Sequence, residues 1–338
     1  MNESPALKLV LTSVLGFTTK RTAFINAYAH PLILDVKENT QELTVFQSFK
    51  PAINDLKAIG CMPDTLHGQF DRILMIPSKD KAQSLAWMAL AFNHLVDGGK
   101  VSMACENQYG AKSYELALKK LAGTASSTSK SKCRLLSAKK TSALDVALQQ
   151  SWFEDAKPMR LQTHGLWTQA GLFSWKTADV GSQLLLEHLP LLEGEGMDLC
   201  CGYGLLSIHV LMVSQNIKRL HMVDAEDLAL DCAKKNIEGL RQITHDKTSY
   251  HHLDAAVETL PKHLDWIVCN PPFHTGQTRD VELGKTIVTR ACESLKYNGQ
   301  LYMVANRQLP YEKILREHLR EVDVIAVGKG FKVLRGKK

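Results

Sequence analysis

The segment Met197-Asp198-Leu199-Cys200-Cys201-Gly202-Tyr203-Gly204 ends an apolar strand, and its two glycines fall where the chain turns before a helix that begins near Leu205. Glycine at such a turn lets the backbone come close to a ligand. In an open α/β sheet, ligands bind beyond the carboxyl ends of the strands. The segment therefore predicts an open α/β sheet with a ligand against this turn.

Strands and helices alternate along the rest of the C-terminal half, which indicates a sheet covered on both faces. We predict strands at 219–223, 250–253, 264–269 and 300–305, and helices at 226–237 and 281–295. Two final strands, 322–327 and 330–334, are separated by Gly328-Lys329, which predicts a closing antiparallel hairpin.

The N-terminal half has a similar rhythm, with strands predicted at 72–76 and 101–104 and helices at 81–95 and 113–121. Residues 32–36 and 43–46 are predicted as further strands, and the polar run 123–132 as a surface loop. This half contains no glycine-rich turn, so we do not expect it to bind a nucleotide cofactor. A second α/β domain is predicted, joined to the first between Trp152 and Gly165.

The composition is typical of a globular chain, with 338 residues, 45% hydrophobic and 22% charged. No apolar run approaches the roughly 20 residues that span a bilayer, and the start lacks a signal-peptide pattern, so we expect a cytoplasmic protein with no membrane partner. The eight cysteines form no CxxC pair, which indicates reduced thiols and no metal. We also expect a monomer.

The positive charge is concentrated in the N-terminal half. Residues 1–160 hold 20 Lys and Arg against 14 Asp and Glu, whereas the remaining 21 of each balance. A basic cluster there can attract a phosphate backbone, although a solvated surface is an equal alternative. The candidate RNA-binding residues are Lys130, Lys132, Arg134, Lys139 and Lys140.

The predicted cofactor is a nucleoside. Asp224 closes the second strand of the C-terminal half, about 20 residues after the glycine turn, where an acid can accept hydrogen bonds from ribose hydroxyls. The third glycine of a dinucleotide fingerprint is missing, so S-adenosylmethionine fits better than NAD. Asp254 is predicted to hold the adenine amino group; capping a following helix is the alternative. The full set of cofactor-binding candidates is Asp198, Cys200, Gly202, Gly204, Asp224, Asp254 and Asn270.

The segment Asn270-Pro271-Pro272-Phe273 follows the fourth strand and carries the predicted chemistry. Two prolines fix the backbone and remove two donors, leaving carbonyls free to accept. The Asn270 oxygen and a carbonyl can together receive both hydrogens of a planar NH₂ group, and Phe273 offers a face for stacking a base. The alternative is a rigid turn with a core phenylalanine. We assign all four residues as catalytic, and give His274 no acid or base role.

These residues resemble Rossmann-like methyltransferases that carry a (D/N)PP(aromatic) motif. Further segments are similar to the family of ribosomal RNA small subunit methyltransferase C: residues 171–174, 179–185, 270–276, 304–306 and 309–311 in the C-terminal half, and more loosely 70–71, 77–79 and 106–110. The resemblance implies two Rossmann-like methyltransferase domains in tandem, a degenerate one at 1–155 that helps to hold RNA and a catalytic one at 160–338.

The resemblance further implies methyl transfer from S-adenosylmethionine to the exocyclic N2 amine of a guanine in 16S rRNA, with the RNA or the 30S subunit as partner. One departure is Cys200, which stands where the family usually has its first glycine. Two alternatives stay open: a guanine-N2 methyltransferase of large-subunit rRNA, and a protein glutamine-N5 methyltransferase. The latter would carry a small helical module at its N-terminus in place of a second α/β domain. A noncatalytic assembly factor would have lost the cofactor motifs, which are present.

Overall fold

The computed structural model describes residues 4–240, 247–272 and 278–338. Contacts divide the chain into an N-terminal unit, Met1–Lys157, and a C-terminal unit, Pro158–Lys338.

The elements of the N-terminal unit are α1 (Pro5–Thr12), β1 (Thr19–Ile25), α2 (Leu32–Glu38), β2 (Thr40–Phe46), α3 (Lys50–Ala58), β3 (Phe70–Met75), α4 (Lys81–His94), β4 (Leu95–Glu106), a 3-10 turn (Asn107–Tyr109), α5 (Ala111–Ala122), β5 (Ser126–Lys130), β6 (Cys133–Lys139) and α6 (Val146–Ala156).

The elements of the C-terminal unit are β7 (Met159–Arg160), β8 (Trp167–Thr168), α7 (Val180–Glu187), β9 (Gly194–Leu199), α8 (Leu205–Val213), β10 (Ile217–Asp224), α9 (Asp227–Glu238), β11 (Thr248–His252), β12 (Leu264–Cys269), α10 (Thr278–Ser294), β13 (Leu295–Asn306), α11 (Tyr311–His318), β14 (Glu321–Gly328) and β15 (Phe331–Lys337).

The C-terminal sheet has the strand order β11-β10-β9-β12-β13-β15-β14. Strands β9 to β13 pair in parallel, and β15 is antiparallel to both of its neighbours, as predicted for the closing hairpin. The chain winds one way from β9 through β10 to β11 and the other way from β12 to β13. The reversal puts the carboxyl ends of β9 and β12 side by side, which is where ligands bind in such sheets.

Both faces of this sheet are buried. Successive strand residues point to opposite sides, and consecutive residues of its strands belong to two different apolar clusters. Met197 and Ile267 belong to one apolar cluster, and Trp266 and Val268 to the other. Trp266 lies directly opposite Gly196 on β9, and a Cβ at that glycine would come 2.1 Å from the Trp266 ring. The close approach of β9 and the indole thus requires glycine at 196.

The N-terminal sheet has the order β2-β1-β3-β4-β6-β5. Its parallel and antiparallel pairs follow the same scheme as the C-terminal sheet, but the sheet has no counterpart of β11 at its edge. The prediction of two Rossmann-like sheets in tandem is therefore confirmed, and the N-terminal sheet is the reduced one.

The N-terminal unit also closes the end of its sheet that would face a cofactor. Asn26 directly follows β1 with a φ of +54°, and its Nδ2 donates to the carbonyl of Ile76, one residue beyond β3, at 2.9 Å. Gln47, one residue beyond β2, donates to Asn26 Oδ1 at 3.2 Å and to the Ala27 carbonyl at 2.8 Å. These side chains bridge the three strand ends where a nucleotide would need open space.

Two local predictions in the N-terminal half were wrong. Residues 32–36, predicted as a strand, form helix α2, in which Ile33 and Val36 are buried and Leu34 is exposed, a spacing of three that fits a helix. The run 123–132, predicted as a loop, contains strand β5, whose five residues are all exposed. An edge strand without a buried face shows no apolar alternation, so the sequence pattern could not reveal it.

Candidate active site

The predicted glycine turn connects β9 to α8 at the strand reversal. Gly202 and Gly204 have φ values of +54° and +88°, a region that glycine enters at little cost. A Cβ at Gly204 would lie 2.9 Å from Met222 Cε and 3.4 Å from Ala233 Cβ. The second glycine therefore also lets the start of α8 pack closely on β10 and α9.

Cys200 adopts the left-handed backbone that a glycine would normally occupy, with a φ of +62°. For a residue with a side chain this conformation costs about 1–2 kcal/mol. Its side chain is partly buried against the core cluster beside Cys269. The departure from the family pattern is thus accommodated as backbone strain that is partly offset by packing.

Asp224 contacts the glycine turn directly. Its Oδ2 accepts the Gly202 N–H at 2.7 Å, and its Oδ1 accepts the Glu226 N–H at 2.9 Å. Burial raises the pKa of Asp224, and these backbone donors oppose the rise. A carboxylate oxygen can accept more than one hydrogen bond, so Asp224 can also accept from a hydroxyl such as those of a ribose.

Asp198 lies fully buried near the end of β9. Its Oδ2 accepts the N–H and the hydroxyl of Ser207 at 3.0 and 2.7 Å, whereas its Oδ1 is buried without a partner in the described part of the chain. Burial raises the pKa of Asp198 to about 7. An orphaned buried carboxylate oxygen needs an explanation, and a cationic or N–H-bearing ligand at the strand ends supplies one.

Asp254, beyond β11, takes part in a local turn. Its Oδ1 accepts the Ala256 N–H at 3.0 Å, and its own N–H donates to Glu258 at 2.8 Å. The carboxylate caps a turn and not a helix, because no helix lies between β11 and β12, and Asp254 Oδ2 accepts no hydrogen bond that the described residues supply. A role toward adenine stays a prediction.

Asn270 is held in one orientation by two side chains of α7. Its Nδ2 donates to Asp179 Oδ2 at 2.9 Å and to Ser182 Oγ at 2.8 Å. A carboxylate can only accept, so the NH₂ side of the amide must face Asp179. Asn270 Oδ1 therefore points the other way, and no described residue donates to it. The amide oxygen is fixed and available beside the end of β9.

Asp179 and Ser182 are positioning residues that the motif alone did not reveal. Asp179 is the N-cap of α7, and the same Oδ2 that holds Asn270 accepts the Ser182 N–H at 2.6 Å. The spacing Asp179-x-x-Ser182 is a helix-start signal, which predicts the cap. It does not predict that this helix begins beside β12, because that contact follows only from the tertiary fold.

The glycine turn has a second support that sequence reasoning missed. Asn236 of α9 is buried, and its Nδ2 donates to the Tyr203 carbonyl at 2.8 Å and to the Trp167 carbonyl at 2.9 Å. Its Oδ1 accepts the Trp167 N–H at 2.6 Å. One amide thus ties the turn to β8.

The prolines lie where they were predicted: Pro271 is buried and Pro272 is exposed. Phe273 and His274 lie outside the described residues. The structure thus brings Asp198, Cys200, Gly202, Asp224 and Asn270 to neighbouring strand ends, with Asp254 at the end of the next strand.

The candidate RNA-binding residues do not form one cluster. Lys130 and Lys132 are exposed at the turn between β5 and β6, where Ser131 and Lys132 have positive φ. Arg134 is paired with Glu115, and Lys140 donates to the Leu95 carbonyl at 2.8 Å. Lys139 ends β6, six residues from its start and therefore about 20 Å away.

A fixed amide acceptor beside a glycine turn and a buried acid can orient a planar amine but cannot itself attack a substrate. This combination, on a doubly wound sheet, is the chemistry of Rossmann-like methyltransferases.

The comparisons with known proteins agree. The "Methyltransferase small domain" family model matches residues 163–335, and the "Methyltransferase small domain N-terminal" model matches residues 8–155. The chain belongs to this methyltransferase family.

The chain is also similar to individual members of this family. The ribosomal RNA small subunit methyltransferase C of Shewanella sp. (strain W3-18-1) is 28% identical over 78% of this chain and 75% of its own length. That of Shewanella loihica is 26% identical over 98% of both. The solved T. thermophilus 16S rRNA N2 G1207 methyltransferase, in complex with AdoMet and guanosine, has a TM-score of 0.81 at 21% identity, over 99% of this chain and 92% of that one. The resemblance predicted from the sequence is confirmed.

Two further properties concern residues 4–240, 247–272 and 278–338, which the structure describes. No described helix is long and apolar enough to cross a membrane. No group of three or more His, Cys, Asp or Glu side chains within those ranges could hold a metal ion.

Proposed function

We propose that this protein transfers a methyl group from S-adenosylmethionine to the exocyclic N2 amine of a guanine in 16S small-subunit rRNA. The observation that carries the proposal is the orientation of Asn270, whose amide oxygen is fixed at the carboxyl end of β12 by Asp179 and Ser182. Such a fixed acceptor can take a hydrogen bond from an N–H of a planar amine and so orient that amine.

The residues at the strand ends fit the cofactor. Asp224 can accept a further hydrogen bond from a ribose hydroxyl, and the orphaned Asp198 Oδ1 suits a cationic or N–H-bearing group. Gly202 and Gly204 keep the turn close, with no side chain in the way, and Asp254 is proposed for the adenine amine. When bound, S-adenosylmethionine supplies an electrophilic methyl carbon on a positively charged sulfur.

The chain's part in the reaction is orientation. The two hydrogens of the guanine amine donate to Asn270 Oδ1 and to a backbone carbonyl of the proline turn, which directs the nitrogen lone pair at the methyl carbon. The bound cofactor would supply the methyl group and its sulfur would keep the electron pair of the broken S–C bond, while the amine would release a proton to solvent. The amine is a weak nucleophile because its lone pair is delocalised. Aligning it with the methyl carbon is therefore the main contribution to catalysis, and this alignment can lower the barrier by several kcal/mol. Phe273 is proposed to stack on the base.

The RNA substrate is proposed from the relatives and from the N-terminal unit. The relatives named above are small-subunit rRNA methyltransferases. A protein glutamine methyltransferase would carry a small helical module in place of the six-stranded N-terminal sheet. We assign residues 1–155 to holding RNA, with Lys130, Lys132, Arg134, Lys139 and Lys140 as candidates, and residues 160–338 to catalysis. The proposed enzyme is a cytoplasmic monomer.

The test is methyl transfer from radiolabelled S-adenosylmethionine to 30S particles and to naked 16S and 23S rRNA that lack modifications, followed by nucleoside analysis. We expect N2-methylguanosine in small-subunit RNA alone. Label confined to 23S rRNA would move the enzyme to the large subunit, and label in protein alone would exclude an RNA substrate.

A further inference from the structure

Three cations lie side by side across the N-terminal sheet. Arg72 on β3 is in register with Lys100 on β4, and Lys100 is in register with Lys139 on β6. Residues directly opposite one another share a face of the sheet, so the three side chains form one row, which we call the cation row. It lies near the amino ends of β1, β3 and β4, the edge opposite to the one that Asn26 and Gln47 bridge.

The cation row is a repulsive arrangement. Like charges directly opposite each other on neighbouring strands destabilise a sheet. The pKa of Lys100 is lowered, first by burial and then by the charges of Arg72 and Lys139. The fold therefore holds these charges together at a cost to its own stability.

Two other cations of the same sheet are compensated. Arg21 on β1 is in register with Glu42 on β2, and the two form an ion pair of 2.7 Å. Arg134 is paired with Glu115. By contrast, no carboxylate of the described residues forms an ion pair with any member of the cation row. Asp71, which lines the same cavity, uses its Oδ2 to accept the Arg21 backbone N–H at 2.8 Å.

The cation row borders an open cavity of about 450 Å³. Its lining is cationic and hydroxyl-rich: Thr18, Thr19, Lys20, Asp71, Arg72, Gly98, Lys100 and Lys139. Phe17, 55% exposed, lies beside it, and the Arg72 guanidinium stacks 4.9 Å from the centre of its ring. Cations, hydroxyl donors and an exposed aromatic ring are the groups that bind a nucleic-acid strand.

We propose that the cation row and its cavity bind the phosphodiester backbone of the RNA substrate, with Phe17 available to stack on an unpaired base. The row spans two strand spacings, about 10 Å, enough to contact more than one phosphate. This proposal rests on the proposed function, because it names the surface by which the N-terminal unit holds the RNA. It differs from the candidates at the tip of the β5–β6 turn, Lys130 and Lys132.

The test is the triple variant Arg72→Gln, Lys100→Gln and Lys139→Gln in the full chain, with unmodified 16S rRNA as the probe. The matched control is Lys57→Gln, Lys81→Gln and Lys112→Gln, which removes three charges from exposed positions of the same unit. Binding is measured between 50 and 200 mM salt, together with Tm, the Kd for S-adenosylmethionine and methyl transfer.

We expect the triple variant to lose about 10- to 100-fold in RNA affinity and up to about 2 in the slope of log K against log salt, since each phosphate contact to a single strand contributes about 0.7. Its Tm should be unchanged or higher, because the repulsion is gone, and its affinity for S-adenosylmethionine should be that of the wild type. The control should keep the wild-type slope.

Three results would overturn the proposal. If the wild type methylates 16S rRNA and the triple variant keeps the wild-type RNA affinity and salt slope, the cation row does not bind RNA, and the proposed function still stands. If the triple variant loses RNA affinity and its Tm is also lowered, the three residues support the fold and do not contact the RNA. A wild type that transfers no methyl to any rRNA refutes the proposed function, and the assignment of this ligand with it.

Discussion

Asp179→Ala tests whether orientation of the Asn270 amide carries the catalysis. The change removes the oxygen that accepts from both Ser182 and Asn270, at 2.6 and 2.9 Å. A hydrogen bond to a charged group contributes about 1.5–3 kcal/mol, and in the variant the productive orientation must be regained at that cost in the transition state. Each 1.36 kcal/mol is a factor of ten in rate. We expect kcat to fall about tenfold to a hundredfold, with little change in affinity for S-adenosylmethionine.

The helix cap must be separated from the amide in this experiment, since losing an N-cap costs about 1 kcal/mol by itself. Asp145→Ala is the matched control, because Asp145 caps α6 by accepting the Leu148 N–H at 2.9 Å, outside the catalytic unit. Asp179→Asn is the conservative variant, because an amide oxygen can occupy the position of Oδ2 and accept both hydrogen bonds. We expect it to restore most of the activity.

The assay is single-turnover transfer of radiolabelled methyl to unmodified 30S particles, with Tm measured alongside. Asp179→Ala and Asp145→Ala should each lower the Tm by a few degrees, but only the first should slow the methyl transfer. The reasoning is refuted if Asp179→Ala keeps the wild-type rate, or if Asp145→Ala slows as much. An Asp179→Asn variant as slow as Asp179→Ala would show that the charge matters and not the acceptor.

Four further outcomes are expected. Asn270→Ala should cut methyl transfer strongly while calorimetry shows nearly unchanged binding of S-adenosylmethionine; normal turnover would remove Asn270 from the mechanism. Asp224→Ala should weaken that binding, and an unchanged Kd would place the ribose elsewhere. Burial raises the pKa of Asp198 to about 7, above an unfolded value of about 3.9, so the stability that the protonated carboxyl contributes is lost as the pH rises from about 4 to 7. Denaturant titrations across that range should show the free energy of unfolding of Asp198→Asn rising relative to that of the wild type. Cys200→Gly should raise the free energy of unfolding by about 1 kcal/mol, since it relieves a positive φ, and a clear loss would mean that the thiol packing outweighs the strain.

The catalytic unit was largely predictable because its signals are local. Strand β12 was predicted at its observed bounds, since an apolar run stops at Asn270-Pro271. Asp224 was found because the acid follows the glycine turn at a fixed spacing. These positions depend on chain geometry within a few residues, and sequence spacing reports that geometry.

The contacts that complete the site were not predictable, because they join distant segments. Asp179 meets Asn270 across 91 residues, and Asn236 meets Trp167 across 69. The cation row was hidden for the same reason: Arg72, Lys100 and Lys139 are far apart in the chain, whereas the adjacent charges from Lys130 to Lys140 suggested a single cluster. The strand register places Lys139 beside Lys100 and Arg72, and leaves Lys130 and Lys132 at the other end of β6.

The two sheets share one strand order, so their differences indicate what each unit can bind. Ile76 follows β3 where Asn270 follows β12, and an aliphatic side chain cannot accept from an amine. The space above the N-terminal strand ends is bridged by Asn26 and Gln47 through three hydrogen bonds, and removing them would leave the Ile76 and Ala27 carbonyls without these donors. A cofactor there would have to break those hydrogen bonds, and no acid such as Asp224 stands at the corresponding strand end to accept hydrogen bonds from its ribose. We therefore expect no nucleoside at the carboxyl edge of the N-terminal unit, and the charges at its amino edge are the groups that we propose for contact with RNA.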